Sequence, residues 1–263
     1  MRRYWQTLIC FWGTALAMQA EYQVNLLIEL VAIALSLGGS LFTLSLFFGP
    51  GYSLGGWNWS EALVVQGFYT TLDGIANAWL RPNLGSIVTY VREGTLDFVL
   101  LKPVDSQLWL SLRLMALSGF PEIALGLLLV GWGGLQSGAE ASVQELLTVV
   151  LMLLSGTTIL YSIWFLVAAT SIWFVKMWNA TEVLRTLLAS GRYPISAYPV
   201  SLRLLFTFVL PVAFLTTVPA EVLLGRVVAT PMLLLSLALA CIFFLSTRAF
   251  WLFALRHYTS ASS

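Results

Sequence analysis

The sequence contains few charged residues, and this scarcity excludes an ordinary soluble domain. Of its 263 residues, 13 are lysine or arginine and 12 are aspartate or glutamate, so that 10% are charged and 59% are hydrophobic. Soluble domains have a charged fraction of about 25%. Because lipid offers the backbone no hydrogen-bond partners, apolar segments of about 20 residues must cross it as helices. The composition therefore predicts an all-α integral membrane protein.

Cysteine and histidine are also scarce, and their scarcity excludes several kinds of site. Cys10 and Cys241 are distant in the sequence and match neither a metal site nor a disulfide framework, and His257 is the one histidine. No Ser/His/Asp set, metal cluster or carboxylate pair can be assembled, and the chain has no Gly-x-x-x-x-Gly-Lys-Ser/Thr phosphate loop. A net charge of +1 gives no reason to invoke nucleic acid. These absences predict a chain that is not an enzyme and that holds no catalytic residue, metal or cofactor of its own.

Six apolar stretches are present instead, and the basic residues between them are distributed unevenly. Drawn as membrane spans, the stretches run over 26–48, 62–80, 114–135, 146–168, 202–218 and 231–252. One side of the membrane then receives a single basic residue, Arg226. The other side receives Arg2, Arg3, Arg81, Arg92, Lys102, Arg113, Lys176, Arg185, Arg192, Arg203, Arg248 and Arg256. By the positive-inside rule, both termini and the connections 81–113 and 169–201 are predicted to be cytoplasmic, and the turns 50–60 and 136–145 external.

The first twenty residues are predicted to form an interfacial helix ahead of a single membrane domain that covers 21–263. Trp5, Leu8 and Trp12 recur at helical spacing, as in a helix lying among lipid headgroups. Arg2 and Arg3 followed by an apolar run also fit a cleaved secretory signal. Cleavage would place nearly all basic loops outside, so the charge pattern favours the interfacial helix.

The fifth stretch is short and contains Pro211, and residues 219–226 add an apolar run that is too short to cross a membrane. This pattern predicts an external re-entrant hairpin between spans five and six. Before it, Tyr193 precedes Pro194 and is therefore biased towards extended backbone. We expect Tyr193, Pro194, Pro199 and Pro211 to act as a hinge around the fifth span.

Two carboxylates lie deep inside the predicted spans. An ionised side chain near the centre of a spanning helix costs about 2.5 to 3.5 kcal/mol, so Asp73 and Glu122 need partners. Contact with a transported substrate and structural hydrogen bonding both remain open for them. They are the candidate residues of a translocation path.

An island of charge interrupts the apolar sequence between residues 81 and 113. Within it, Thr95 is placed to cap a short helix whose apolar surface comes from Leu96, Phe98, Val99 and Leu100. Apolar anchors flanked by charges are typical of a docking surface for a soluble partner. The alternative is an amphipathic segment that rests on the membrane.

Five stretches of the chain form a recognisable set of motifs, namely Tyr90-Val-Arg-Glu-Gly-Thr-Leu-Asp-Phe-Val-Leu-Leu-Lys-Pro-Val-Asp-Ser106, Arg192-Tyr-Pro-Ile-Ser-Ala-Tyr-Pro199, Phe208-Val-Leu-Pro-Val-Ala-Phe214, Val218-Pro-Ala220 and Leu255-Arg-His-Tyr-Thr-Ser-Ala261. These motifs resemble those of the type 2 ABC exporter permeases, and within that family those of a group of uncharacterised bacterial permeases. They carry no code for a particular substrate.

The resemblance implies six transmembrane helices per subunit, two permease subunits per transporter, identical or different, and two cytosolic ATPase subunits that hold ATP and Mg. It implies a bacterial inner-membrane location and identifies the short helix of the charge island as the coupling helix that docks on the ATPase. The coupling residues are then Arg92, Glu93, Thr95, Leu96, Asp97, Phe98 and Lys102. A different class of function stays open, an ATP-independent secondary transporter that uses Asp73 or Glu122 as proton carrier.

Overall fold

The computed structural model describes residues 12–14, 23–49, 53–174 and 178–258, and across these residues it is helical with no β-strand. The helices are α1 (Gln23–Ser45), α2 (Trp59–Ile75), α3 (Arg81–Arg92), α4 (Leu96–Leu100), α5 (Ser106–Leu112), α6 (Gly119–Gln136), α7 (Val143–Ala169), α8 (Trp178–Leu188), α9 (Val200–Leu204), α10 (Val212–Leu215), α11 (Thr217–Leu223) and α12 (Ala229–Arg256). In the described part, three helices are long and apolar enough to cross a membrane, Val24–Ser45, Val143–Ile172 and Ala229–Arg256. The all-helical expectation is confirmed.

Helices α2 and α3 form one continuous helix, joined by a π-helical turn at Ala76–Leu80. Asn58 opens it with a capping box to Glu61, and at 1.5 Å per residue it is about 50 Å long. The predicted span ended at residue 80 because Arg81 and Pro82 reduce the local hydropathy. Leu84 and Ile87 are nevertheless wholly buried, so the helix continues to Arg92 and the charged connection is shorter than predicted.

Glycines hold α2 and the antiparallel helix α6 in direct backbone contact. Gly67 and Gly74 on α2 face glycines of α6 at the same seven-residue spacing, namely Gly119, Gly126 and Gly133. A Cβ added at Gly74 would lie 2.6 Å from the backbone nitrogen of Ile123, and one at Gly67 would lie 2.7 Å from that of Val130. Small residues are the usual means of close helix approach in membranes, where interhelical contact depends on van der Waals packing.

The bundle has two ends, which we name by one residue each. The Trp57 end comprises residues 47–49, 53–63 and 193–203 together with Arg226; the Phe98 end comprises 92–113, 170–174 and 248–258. Arg226 ties the first group together, because it pairs with Glu61 at 2.6 Å and lies over the Trp57 ring. At the second, Trp251 Nε1 donates to Ser106 Oγ at 3.0 Å.

The prediction that 169–201 lies entirely opposite the turn 50–60 is wrong. Ser196 Oγ donates to the carbonyl of Gly55 and accepts from Trp57 Nε1, so this part of the connection lies at the Trp57 end. Arg203 donates to the carbonyl of Ser196 and lies there too. Five basic residues lie at the Phe98 end, Arg92, Lys102, Arg113, Arg248 and Arg256, against Arg203 and Arg226 at the Trp57 end, so the described residues keep an asymmetry of the predicted sign that is smaller than predicted.

Helix α8 and the 3₁₀ turn Ala189–Arg192 make a lengthwise traverse of the bundle, ahead of residues 202–218, at which the fifth span was expected. These segments rise by about 24 Å from the Phe98 end to Tyr193, at 1.5 Å per α-helical and 2.0 Å per 3₁₀ residue. Arg185 and Arg192 lower the hydropathy of this segment, so hydropathy alone did not identify it as a candidate membrane span. Gly191 lies against Val212 and Thr216, so the traverse is covered by the segment that follows it.

Residues 200–223 form a hairpin that descends from the Trp57 end and returns to it. Its lower turn brings Leu210 beside Leu166 and Thr170 of the α7 region, and its ascending limb passes Gly156 and reaches Gly134 with Leu223. The re-entrant element is thus longer than the predicted 219–226. Pro211 lies at its lower turn, where the missing N–H ends the descending helix.

Helix α1 lies apart from the other helices along most of its length. Leu44 is fully buried with Ala62 and Leu63, and Phe47 stacks edge-on against Tyr193, but the rest of α1 is largely uncovered. Of the predicted interfacial helix over 1–20, only residues 12–14 are described, and they are helical. Trp12 Nε1 donates to the carbonyl of Leu112, which places this turn at the Phe98 end.

Candidate functional site

Helix α4 has one buried face and one exposed face. Leu96 and Val99 are 0% and 2% exposed, whereas Phe98 is 69% exposed and Leu101, just after the helix, is 81% exposed. The apolar surface expected over residues 96–100 is therefore divided, with Leu96 as an internal anchor and Phe98 as the outward side chain. An exposed apolar tip on a buried base is the geometry of a docking element.

The turn before α4 is made by glycine rather than by a side-chain cap. Gly94 adopts φ +68°, the left-handed conformation that follows a helix C-terminus, and its N–H donates to the carbonyl of Val91. Thr95 occupies the N-cap position, as predicted, but its hydroxyl makes no capping hydrogen bond and is buried. The short helix is confirmed, and the capping role of Thr95 is wrong.

The charged residues of this segment surround the apolar tip. Arg92 and Glu93 are exposed, and the 3.9 Å between Arg92 Nη2 and Glu93 Oε1 makes them a loose ion pair. Lys102 Nζ lies 5.4 Å from the centre of the Trp109 ring, and the Asp97 carboxylate lies close to Tyr258 of the C-terminal segment. Burial raises the pKa of Tyr258 above its ordinary value, and the negative charge of Asp97 raises it further.

The base of this surface is attached to α12 by side chains of α5 and its N-cap. Asp105 accepts two hydrogen bonds from Arg248, the shorter at 2.7 Å, and also caps α5 by accepting from the N–H of Leu108. Partial burial works to raise the pKa of Asp105, but the hydrogen bonds from Arg248 and Leu108 outweigh it and hold this pKa below its ordinary value. The carboxylate is therefore charged at neutral pH, and its ion pair with Arg248 connects α5 to α12.

A second attachment joins α5 to α7. Gln107 Nε2 donates to Tyr161 Oη at 3.1 Å, and Ser111 Oγ lies 2.8 Å from the same oxygen. Gln107 and Ser111 are both buried. With the bonds to α12, these contacts make α5 a rigid support for α4.

A π-helical turn interrupts the long helix α2–α3 where it meets the chain entering α6. Pro82 has no N–H to give to the carbonyl of Ala78, and that carbonyl instead accepts from the N–H of Ala116. The buried Asn83 side chain exchanges two hydrogen bonds with the backbone of Leu114. The predicted span 114–135 thus begins as a non-helical segment bound to the helix junction, and α6 starts only at Gly119.

A polar cluster lies beside this π turn, in the middle of the bundle. Asp73 Oδ1 accepts from Arg81 Nη2 at 2.7 Å, and Glu122 accepts from the Asn77 side chain. Both carboxylates of the expected translocation path are therefore in one place, and each has a hydrogen-bond donor. Since π turns are frequent at functional sites, this junction is the best candidate for a polar site within the membrane.

Arg192 is a member of this cluster that the sequence reading assigned to a cytoplasmic loop. Its guanidinium carbon lies 4.9 Å from the centre of the Tyr69 ring, and its charge acts on Asp73 and Glu122. The cluster then holds two carboxylates, Asp73 and Glu122, and two guanidinium groups, Arg81 and Arg192. Formal charge is balanced, which is the condition for placing charges where water is scarce.

We expect Arg81→Met to lower the free energy of unfolding by about 1–3 kcal/mol, because it leaves the Asp73 carboxylate without its donor. The double variant Asp73→Asn, Arg81→Met should recover part of that loss, since no unpaired charge remains. Thermal melts in detergent measure both effects. Arg92→Met, which removes an exposed arginine from the same helix, serves as the control; an equal loss in that variant would contradict a special role for the pair.

Three of the four residues expected to form a hinge, Tyr193, Pro194 and Pro199, lie at the bend between α8 and α9, whereas Pro211 lies at the lower turn of the hairpin. Tyr193 is extended, with φ −114° and ψ 148°, as expected before Pro194, and Pro199 precedes α9. The bend is held by hydrogen bonds, one from the N–H of Ile195 to Thr217 Oγ1 and one from Tyr198 Oη to the carbonyl of Ser190. The extended geometry is confirmed, and movement about this bend stays a prediction.

Comparison with known proteins gives a match to a transporter family. A family model described as ABC-2 family transporter protein matches residues 34–262, which is most of the chain and includes both the α4 segment and the polar cluster. No curated protein and no solved structure matches the chain.

Proposed function

This chain belongs to the ABC-2 family of transporter proteins, and we propose that it is the transmembrane permease subunit of an ATP-driven exporter. Membership of the family makes it a membrane-embedded transport component of an ABC transporter, associated with ABC ATPase partners and not itself catalytic. The direction of transport, the coupling surface and the path are parts of the proposal. In it, ATP and Mg are bound by a separate ATPase chain, to which this chain supplies a docking surface.

The observation that carries the proposal is the exposed Phe98 on a fully anchored helix. An ATPase that changes conformation can move the permease only if the helix on which it docks is firmly packed against the rest of the bundle. Leu96 and Val99 anchor α4 in the core, and the Asp105–Arg248 pair fixes the adjoining helix α5. Docking of the ATPase on Phe98 and Leu101 would then move α12 and α7 together.

The continuous helix α2–α3 links this surface to the polar cluster. Arg92 lies at its end beside α4, and Asp73 lies 19 positions earlier, about 28 Å away at 1.5 Å per residue. A helix of this length transmits a push along its axis with little loss, except at the π turn, where it has an irregular hydrogen-bond pattern. We propose that closure of the ATPases tilts α2–α3 at this turn and changes the exposure of Asp73 and Glu122 to the path.

In the proposed topology the Phe98 end faces the cytoplasm of a bacterial cell, at the inner membrane, with both termini on that side. The six crossings are α1, α2–α3, α6, α7, α8 and α12, and residues 200–223 form the external re-entrant hairpin. The clustering of Arg92, Lys102, Arg113, Arg248 and Arg256 at one end supports this orientation. A second permease subunit, identical or different, would complete the path.

The topology is tested by the accessibility of two single cysteines in a variant that lacks Cys10 and Cys241. Leu101→Cys and Val228→Cys are matched, since the native side chains are 81% and 71% exposed at opposite ends of the bundle. A membrane-impermeant maleimide added to intact cells should label residue 228 and spare residue 101. Labelling of residue 101 from outside would overturn the orientation.

The partnership is tested by purifying the tagged permease in mild detergent and identifying the chains that accompany it. We expect an ATP-binding subunit at about equal stoichiometry. A secondary transporter needs no such subunit, and purification without any ATPase would favour that alternative. The Asp73–Arg81 pair already disfavours Asp73 as a proton carrier, because its carboxylate is engaged by a cation.

A further inference from the structure

A groove of about 720 Å³ opens on the side of the bundle in its half nearer the Phe98 end. Its walls come from the α2–α3 junction, α5, α7 and α12, and Trp12 lies at its edge. Binding pockets for small molecules have volumes of about 300–1,000 Å³. The groove is therefore large enough for one amphipathic molecule, and the bundle does not fill it with its own described side chains.

The groove is apolar over most of its length. Ile75, Trp79 and Phe244 line it, and the two threonines at its deeper end turn their hydroxyls to their own helix. Thr157 Oγ1 donates to the carbonyl of Leu153 and Thr158 Oγ1 to that of Leu154. The threonine hydroxyls are thus satisfied within α7 and leave little unmet polarity in the groove, which suits a hydrocarbon chain.

One end of the groove is charged, and its charges retain unused hydrogen-bonding capacity. Arg248 uses three N–H groups on Asp105 and Gln107, and within the described residues its Nε–H and one Nη2–H have no acceptor. Asp105 Oδ2 accepts from Arg248 and, as a carboxylate oxygen, has room for another donor. About two-fifths of each of these two side chains is exposed, Arg248 at 39% and Asp105 at 42%.

This end is surrounded by residues typical of the headgroup region of a membrane. Trp12 and Trp109 lie close by, the latter beneath Lys102 and Arg113, and such aromatic and basic residues mark the membrane interface. The groove therefore runs from the interface to the hydrocarbon region, with its polarity changing in the same direction as that of a phospholipid.

We propose that the groove binds one membrane phospholipid whose headgroup carries a primary amine. Its phosphate accepts from the free N–H groups of Arg248, its ammonium group donates to Asp105, and one acyl chain lies along Ile75, Trp79 and Phe244. The Asp105 carboxylate and the Arg248 guanidinium thus complement the ammonium and the phosphate of this headgroup. A choline headgroup has no N–H to give to Asp105, and a glycerol headgroup has no cation. Bound there, the lipid bridges α5, α7 and α12, the helices that support α4.

The test is native mass spectrometry of the purified protein after exchange into mixed micelles with equal amounts of phosphatidylethanolamine, phosphatidylcholine and phosphatidylglycerol. We expect one phosphatidylethanolamine to be retained at least tenfold over the other two. Arg248→Gln should remove that preference. Thr158→Phe should exclude lipid from the groove without touching the charged pair, so that a loss cannot be ascribed to weakened attachment of α5.

Two controls replace similar residues outside the groove. Arg256→Gln removes another arginine of α12, and Val150→Phe adds an aromatic ring to another exposed position of α7. Both should retain the lipid as wild type does. Equal retention of all three headgroups, or the same loss in the controls, would overturn the proposal. So would a photoreactive side chain at position 158 that cross-links to protein rather than to phospholipid. None of these readouts requires the ATPase, so the result is independent of the proposed function.

Discussion

Gly126→Leu should prevent this protein from forming a stable bundle. A side chain at Gly126 points into the backbone nitrogen and hydroxyl of Thr71, and neither the helix backbone of α2 nor the neighbouring Gly67 carbonyl can move aside. Overpacking a core costs about 1–3 kcal/mol when side chains can adjust, and more when only backbone is available to move. We expect loss of the monodisperse peak in fluorescence-detected size exclusion, or a fall in melting temperature larger than that of any other single variant proposed above.

Gly131→Leu is the matched control, on the same helix. A Cβ at Gly131 meets nothing within 4 Å, so leucine there faces open space. Its melting temperature should stay close to that of wild type. If Gly126→Leu folds as well as Gly131→Leu, the contact between α2 and α6 is looser than its glycines indicate.

Phe98→Ala should separate the permease from its ATPase without harming the fold. An exposed phenylalanine contributes little to stability, whereas an aromatic side chain at the centre of an interface often contributes 2 kcal/mol or more to binding. We expect affinity for the ATPase subunit to fall at least tenfold, which is about 1.4 kcal/mol, with an unchanged melting temperature. Titration of the purified ATPase measures the affinity, and ATP turnover in the remaining complex should lose its dependence on the permease.

Phe208→Ala provides the comparison, because Phe208 is also exposed, at 76%, but lies on the hairpin away from α4. It should leave ATPase affinity unchanged. Leu96→Ala offers the opposite contrast, since it removes a buried anchor and should lower stability by about 2–5 kcal/mol, the usual cost of such a truncation in a core. Unaltered affinity in Phe98→Ala would remove α4 as the docking surface.

The fold class and the surface of α4 were accessible from the sequence because both depend on local pattern. Hydropathy over a window of about 20 residues detects an apolar helix wherever it lies, and it found α1, α7 and α12 with small errors at their ends. The short helix α4 was predicted from the apolar residues that follow Thr95, namely Leu96, Phe98, Val99 and Leu100. The seven-residue spacing of Gly119, Gly126 and Gly133 is also visible in the sequence, although the close contact between α2 and α6 was not predicted from it.

Hydropathy led to wrong span boundaries where charged residues lie inside the bundle. Arg81 and Arg192 looked like loop residues, since an isolated charge lowers the mean of its window. In the structure each arginine interacts with a residue of α2, Asp73 and Tyr69 respectively, and this interaction permits burial. In the proposed topology the fifth crossing begins at Trp178, so the span predicted from residue 202 was placed 24 residues too late.

The sequence by itself determined that this chain is a helical membrane protein with an apolar tip amid charge at one end, because composition and periodicity act over short stretches of chain. Only the tertiary structure decided that Ser196 lies against Trp57, that Ala116 satisfies the carbonyl freed by Pro82, and that Arg248 holds Asp105. These contacts join residues far apart in the chain. Their stability comes from partners that meet only when the whole bundle has assembled, and no local window contains both members of such a pair.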